Sequence, residues 1–160
     1  MNVLGIDPGL GNMGYGVISS RDNQIQLICY GVIKTYPKDS LANRLKTIFH
    51  EVSNLINEYK PSIISIEEIF YSNNVKSALL LGHARGVAIA AASTQDLLVY
   101  EYSARKMKQS LTGNGNAHKD QVRFMVKNLL KMESAPKSND ASDALGIALC
   151  YIFQNKLEHL

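Results

Sequence analysis

Residues 3–18 read VLGIDPGLGNMGYGVI, and this segment constrains the fold more than any other part of the chain. Two apolar runs are separated by Pro8-Gly9 and a few further turn residues, so they predict two β-strands joined by a short connection. Asp7 lies at the end of the first run, where a central strand should be buried. A carboxylate there needs a partner, because burying an unpaired charge costs enough free energy to shift its pKa or unfold the strand.

The rest of the chain alternates between the apolar spacings of strands and helices. Strands are predicted at 2–7, 13–19, 25–35, 62–67 and 97–102. Helices are predicted at 40–60 and 75–93, for a turn or two after Ser103, and at about 117–132 and 140–155. Three strands in hairpin order followed by alternating helices and strands predict a mixed α/β sheet with helices on both faces. That order is the ribonuclease H-like arrangement, and equally the core of one half of an actin-type ATPase domain.

Length and composition are those of one globular domain. The chain has 160 residues, of which 46% are hydrophobic and 19% charged. We expect one domain over 1–155 and a tail at 156–160, whose KLEHL ending resembles vector-derived residues. No apolar stretch approaches the length of a transmembrane helix, and Cys29 and Cys150 suit reduced thiols in a cytoplasmic protein. The net charge of +3 permits a polyanionic partner without requiring one.

Acidic residues recur at the ends of predicted elements. Asp7 ends the first strand, and Glu67 and Glu68 end the fourth. Asp140 and Asp143 fall in the first turn of the last helix, which Ser138 or Asn139 can cap, and their spacing puts them on one face. Each feature alone has an ordinary explanation: a turn cap, a solvated strand edge, or acids that complement a helix dipole.

Together these acids indicate a metal site. If the first and fourth strands are parallel neighbours, their carboxyl ends meet at one rim of the sheet. Carboxylates about 4 Å apart repel one another by several kcal/mol at an intermediate effective dielectric, so such a cluster needs protons or cations. Oxygen ligands select Mg²⁺ or Mn²⁺, and two such ions are the arrangement used for in-line phosphoryl displacement.

Several blocks of residues also match a known family in order along the chain. They are GIDPG (5–9) with MGYGVI (13–18), IEEIF (66–70), LGHARGVAI (81–89), GNGNAHK (113–119) and DASDALGIAL (140–149). From residue 3 to about 152, the chain resembles the RuvC family of bacterial Holliday junction resolvases. The resemblance implies a ribonuclease H-like, homodimeric, Mg²⁺-dependent endonuclease that nicks two opposing strands of a four-way DNA junction. It also implies the branch-migration proteins RuvA and RuvB as partners.

The resemblance assigns site residues as well. The family's four acidic residues, both catalytic and metal-binding, carry over to Asp7, Glu67, Asp140 and Asp143; the position of Asp140 is a histidine in some relatives. Position along the strand does not by itself separate Glu67 from Glu68. The residues implied to contact DNA are the aromatic Phe70, with Tyr71 able to share its role, and the basic Lys108 and Lys119, extended more weakly by Arg85, Lys76, Arg105, Lys106 and Arg123.

The helix at 75–93 is a candidate dimer seam, because Gly82, Gly86 and Ala90 repeat at fourfold spacing. The equally open alternative is that this face packs on its own sheet. Three other functions remain to be weighed: one lobe of an actin-type ATPase or sugar kinase, a ribonuclease H-like nuclease acting on other nucleic acids, and a non-catalytic junction-binding module.

Overall fold

The structure is a computed structural model that describes residues 1–22, 24–69 and 74–157. For residues 156 and 157 it describes the backbone only. Its strands are β1 (Asn2–Asp7), β2 (Asn12–Arg21), β3 (Gln24–Lys34), β4 (Ile63–Glu67) and β5 (Leu98–Tyr102). Its helices are α1 (Leu41–Tyr59), α2 (Val75–Ser93), α3 (Ala104–Thr112), α4 (Lys119–Leu129) and α5 (Asn139–Leu157).

The five strands form one mixed sheet in the order β3-β2-β1-β4-β5. Strand β2 pairs antiparallel with both β1 and β3, as the short connections require. Strand β4 pairs parallel with β1 on one side and with β5 on the other. The predicted mixed sheet is therefore confirmed, and β1 occupies its centre between an antiparallel and a parallel neighbour.

Helices cover both faces of the sheet, as predicted, and each face has its own core. On one face α1 and α2 pack on the sheet, with Ile48, Val52 and Ile56 forming the buried stripe of α1. On the other face α3, α4 and α5 pack together through residues such as Met107 and Leu145. The apolar stripe of α1 recurs at helical spacing, which is why its position could be predicted from the sequence.

The last third of the chain is more regular than expected. Instead of a turn or two after Ser103, α3 runs for nine residues, and the Ser103 hydroxyl caps it by accepting a hydrogen bond from the Lys106 N–H. Helix α4 begins at Lys119 rather than near 117, because the Gln121 side chain accepts a hydrogen bond from the His118 N–H just before the helix. The boundaries of these helices depend on caps that hydrophobic spacing does not show.

The expectation that no segment approaches a membrane-spanning helix is wrong for α2. Within residues 1–22, 24–69 and 74–157, α2 is the one helix that is long and apolar enough to cross a membrane, judged by length and composition alone. Its Leu, Val, Ile and Ala residues raise the mean hydropathy, although Lys76, His83 and Arg85 interrupt it. Four of its alanines are buried in the core beneath it, while most of the helix is not buried.

Candidate active site

Strands β1 and β4 bring two acids together at one rim of the sheet. Ile6 pairs with Ile66 in the parallel ladder, so the residues that follow, Asp7 and Glu67, lie side by side at the carboxyl ends of the strands. Their side chains share a hydrogen bond in which Asp7 is the donor. Glu68 is exposed, and its N–H donates to the Tyr102 carbonyl of β5 at 3.0 Å. Of the two glutamates, Glu67 is therefore the one that faces Asp7.

Helix α5 reaches this rim because two glycines of the sheet let it lie directly on the backbone. A Cβ on Gly14 would stand 2.0 Å from the Asp140 carbonyl oxygen, and one on Gly5 would stand 2.0 Å from that of Ala144. No larger side chain fits at either position unless the helix moves. The Ser138 hydroxyl accepts a hydrogen bond from the Ala141 N–H at 3.4 Å, at the start of the helix. The first turn of α5 is thereby set over the end of β1.

The acids at this rim are held in an electrostatically unfavourable state. Burial raises the pKa of Asp7 to about 9, and the neighbouring charges of Glu67, Asp143 and Asp140 push it in the same direction. Burial also raises the pKa of Glu67 and of Asp143 above their ordinary values. Asp140 contributes repulsion to Asp143. Acids from three separate elements therefore act on one another, and each of Asp7, Glu67 and Asp143 has a raised pKa.

Two lysines oppose this negative charge. Lys119, at the start of α4, and Lys108, on α3, each lower the pKa of Glu67 and of Asp143 through their positive charge. Lys119 is exposed and Lys108 half-buried. The structure thus places both predicted lysines beside the acids, with Lys119 open to solvent for a large anionic ligand.

The loop between these lysines is fixed by a side chain that the sequence analysis missed. Gln109 donates from its amide nitrogen to the Gly113 carbonyl at 2.9 Å and accepts from the Gly115 N–H at 2.9 Å. Gly113 ends α3 with a φ of 77°, in the left-handed region that favours glycine. No sequence spacing marks a glutamine for this role, because its partners become neighbours only when the loop has folded.

The acids do not form a ready-made ligand cage. Within the part of the chain that the structure describes, no three His, Cys, Asp or Glu side chains lie close enough to make a metal-binding group. Nor do they line the groove of about 810 Å³ between β3 and residues 129–134. The site is an open rim of the sheet, which suits a large substrate better than a small enclosed one.

The remaining residues implied to contact DNA lie in different surroundings. Phe70 and Tyr71 fall outside the described residues. Lys76 is exposed in the first turn of α2, and Arg105 and Lys106 are exposed on α3.

Two arginines of the same set are already engaged within the protein. A terminal nitrogen of Arg123 donates to the Pro136 carbonyl at 2.7 Å, and its buried Nε has no partner among the described residues. Arg85 is paired with Glu101 at 2.7 Å. Both guanidinium groups therefore have partners within the protein, and their contacts with DNA stay predictions.

Comparison with known proteins gives the same family along the whole chain. The model of the family "Crossover junction endodeoxyribonuclease RuvC" matches residues 3–151. A protein of that name from Pseudoalteromonas atlantica is 51% identical over 154 residues, covering 96% of this chain and 88% of its own length. Another from Alkaliphilus metalliredigens is 42% identical over 160 residues, covering 100% of this chain and 98% of its own.

Solved structures agree with the sequence comparison. Thermus thermophilus RuvC in complex with a Holliday junction substrate superposes with a TM-score of 0.94 at 32% identity, covering 99% of this chain and 96% of that one. The predicted ribonuclease H-like fold is confirmed, and the alternative of one lobe of an actin-type ATPase is excluded. This chain belongs to the crossover junction endodeoxyribonuclease RuvC family.

Proposed function

We propose that this protein is a divalent-metal-dependent endonuclease that resolves four-way DNA junctions by paired, symmetric nicks in recombination and repair. The observation that carries the proposal is the Asp7–Glu67 pair, buried at the rim under the acidic first turn of α5 and flanked by two lysines. Family membership supports the junction as substrate, because a T. thermophilus relative was solved with one.

The donor set at the rim fits Mg²⁺ or Mn²⁺. Asp7, Glu67, Asp140 and Asp143 offer only oxygen atoms, which hard divalent cations prefer. Burial and mutual repulsion force a proton onto the Asp7–Glu67 pair, and a cation among the acids would remove the reason for that proton. The same repulsion accounts for acids that influence one another without closing into a three-ligand group. When bound there, such ions would activate a water molecule and stabilise the leaving 3′ oxygen of a phosphodiester.

The chain's own cations would hold and orient the substrate. Lys119 and Lys108 lie close enough to Glu67 and Asp143 to change their pKa values, so a phosphate held at the acids would also lie near both lysines. Contacts to phosphates release counterions, so binding should weaken as the salt concentration rises. The proposed hydrolysis requires neither a Ser-His nor a Cys-His nucleophile.

A dimer through α2 would match the twofold symmetry of a junction. A Cβ on Gly82 or Gly86 would meet nothing within 4 Å, so this face of α2 does not pack on its own sheet. Val75 and Leu79, on the same helix, are 68% and 62% exposed. An exposed apolar surface with small residues lets two helices approach closely, and a C₂ dimer presents two copies of one site. RuvA and RuvB are the further partners that family membership implies.

The decisive experiment compares cleavage of a four-way junction, a linear duplex and an RNA–DNA hybrid, each with and without Mg²⁺. We expect cleavage of the junction only, and only with Mg²⁺. Asp7→Asn should abolish cleavage while junction binding stays measurable, because an asparagine keeps the shape of the side chain but cannot supply its charge. Asp22→Asn is the matched control, since Asp22 lies in the β2–β3 turn, at the end of the sheet away from Asp7.

The same assay separates the alternative functions. Cleavage of the duplex or hybrid at a rate equal to that of the junction would make the protein a less selective nuclease. Junction binding without cleavage in any divalent cation would make it a binding module. If Asp7→Asn lost binding and cleavage in equal measure, the assignment of Asp7 to the cation site would be wrong.

A further inference from the structure

Arg85 joins three elements of the fold beside the candidate site. It projects from the middle of α2, and its Nε donates a hydrogen bond to the backbone carbonyl of Glu67 at 3.2 Å. A terminal nitrogen of the same guanidinium lies 2.7 Å from Oε1 of Glu101 on β5. One side chain therefore ties α2 to the carboxyl ends of β4 and β5.

The contact falls where the sheet stops supporting Glu67. In the parallel ladder between β4 and β5, Ile66 pairs with Glu101 and Glu67 with Tyr102, and β4 ends at Glu67. Beyond that point the Glu68 N–H still donates to the Tyr102 carbonyl. Arg85 binds the carbonyl of the same Glu67–Glu68 peptide group. The peptide group that directly follows the Glu67 side chain is thus held through both its N–H and its carbonyl, and the second of these contacts comes from α2.

The ion pair with Glu101 explains how the arginine keeps this position. The Arg85 side chain is 21% exposed, so its charge is partly removed from water and needs a partner. Because the guanidinium is a planar fork, it can bind a carboxylate with one nitrogen and a carbonyl with another. A phosphate that approached this guanidinium would meet the negative charge of Glu101 beside it.

We propose that Arg85 is a positioning residue that holds the backbone of Glu67, with Glu101 as its anchor, and that it is not a DNA contact. This inference rests on the proposed function, since it concerns the orientation of one of the acids assigned to the cation site. Mutation of residues that orient metal ligands from behind commonly costs about 10–100-fold in metal affinity or in activity.

The test measures four properties of Arg85→Ala in the full-length protein. Mn²⁺ binding in calorimetry should weaken by on the order of tenfold, because Glu67 is no longer held in place. Hydrogen exchange at the Glu68 amide should accelerate. Single-turnover cleavage at saturating junction should fall by on the order of a hundredfold, while the junction Kd changes by less than about threefold. Arg21→Ala, an exposed arginine at the far end of β2, is the matched control.

A charge exchange separates positioning from simple stabilisation. The double variant Arg85→Glu with Glu101→Arg can re-form an ion pair between α2 and β5, but a glutamate at position 85 cannot donate to the Glu67 carbonyl. We expect its thermal stability to exceed that of either single variant, while Mn²⁺ affinity and cleavage stay as low as in Arg85→Ala.

Three results would overturn the inference. Full recovery of Mn²⁺ affinity and cleavage in the exchanged variant would show that the ion pair acts through stability alone. A higher junction Kd with normal cleavage at saturation would make Arg85 a DNA contact. Unchanged Mn²⁺ affinity in Arg85→Ala would remove the link to Glu67. If the unmodified protein bound Mn²⁺ but cut no junction, the proposed function would fail, while the calorimetry and exchange measurements would still decide the role of Arg85.

Discussion

Helices α2 and α5 have the same length of 19 residues and similar numbers of apolar residues, yet the fold uses them in opposite ways. Most of α5 is buried, including Ala144, Leu145 and Ile147, which have no exposed surface. In α2 only four alanines are buried, whereas Val75 and Leu79 are largely exposed. Helix α5 is therefore part of the core, whereas α2 covers the core with one face and exposes its other face to solvent.

The position of the glycines explains the difference. Under α5 the glycines belong to the strands: Gly5 and Gly14 leave room for the helix backbone to lie directly on the sheet. In α2 the glycines belong to the helix itself, and Gly82 and Gly86 face open space. A glycine in the sheet therefore brings a helix and its acids close to β1, whereas a glycine on the outer face of a helix leaves a shallow surface that a partner can approach.

The largest expected effect is on the free energy of unfolding, and it tests the contrast between the glycines of the sheet and those of α2. Gly5→Ala should lower the free energy of unfolding by about 3 kcal/mol or more, because the new methyl group would overlap the Ala144 carbonyl and push α5 from the sheet. The matched variant Gly86→Ala should leave stability unchanged or raise it by about 0.5–1 kcal/mol, since alanine favours helix and meets nothing there. Chemical denaturation of both variants measures the difference, and equal losses would contradict the proposed distinction.

A smaller effect, on the pH dependence of stability, should follow from the acids that α5 brings close to Asp7 at the end of β1. Burial raises the pKa of Asp7 to about 9 in the folded protein, whereas an unfolded Asp has a pKa near 3.8. The folded state therefore binds more protons between these values, and stability should fall as pH rises through this window. Without divalent cations we expect a loss that stays below that of Gly5→Ala, because the rim is open to solvent.

Thermal unfolding across this pH range, with chelator and then with Mg²⁺, provides the measurement. Asp7→Asn should flatten the dependence, because the titrating group is gone, and Mg²⁺ should reduce it in the unmodified protein. Stability that rose with pH, or a slope unchanged in Asp7→Asn, would show that the buried pair does not carry the repulsion inferred from its surroundings.

The smallest expected effect lies on the outer face of α2. Gly86→Leu should raise the dissociation constant of a dimer by tenfold or more, or about 1.4 kcal/mol, because a large side chain would hold two helices apart. Sedimentation over a range of protein concentrations provides the measurement. Stability at low concentration should stay close to that of the unmodified protein, since position 86 faces open space. A dimer that persists unchanged would place the seam elsewhere.

Sequence spacing predicted most of the fold because the main elements have regular patterns. The stripe of α1 and the paired apolar runs around Pro8-Gly9 led to correct elements, and the order of the elements led to the mixed sheet. The ends of α3 and α4 were predicted less well, because they depend on a Ser103 cap and on a hydrogen bond between Gln121 and the His118 backbone. These contacts involve single side chains and leave no periodic signal.

In the candidate site, too, the sequence predicted residues but not the contacts between them. The acids were identified from their places at the ends of elements, but Glu67 and Glu68 became distinguishable only through the pairing of β4 with both β1 and β5. The prediction that Arg85 contacts DNA did not include its pairing with Glu101 and the Glu67 carbonyl. A long basic side chain has the same appearance in a sequence whether its charge meets solvent or a carboxylate from a distant strand.

Local periodicity and residue identity were enough to predict the kinds of elements, their order, the family and a candidate set of acids. They were not enough to predict which glutamate faces Asp7, which side of α2 is exposed, and which basic side chains have partners within the protein. These features depend on contacts between residues far apart in the chain. Helices α2 and α5 are both apolar, but α5 packs against glycines of the sheet, whereas the glycines of α2 face open space.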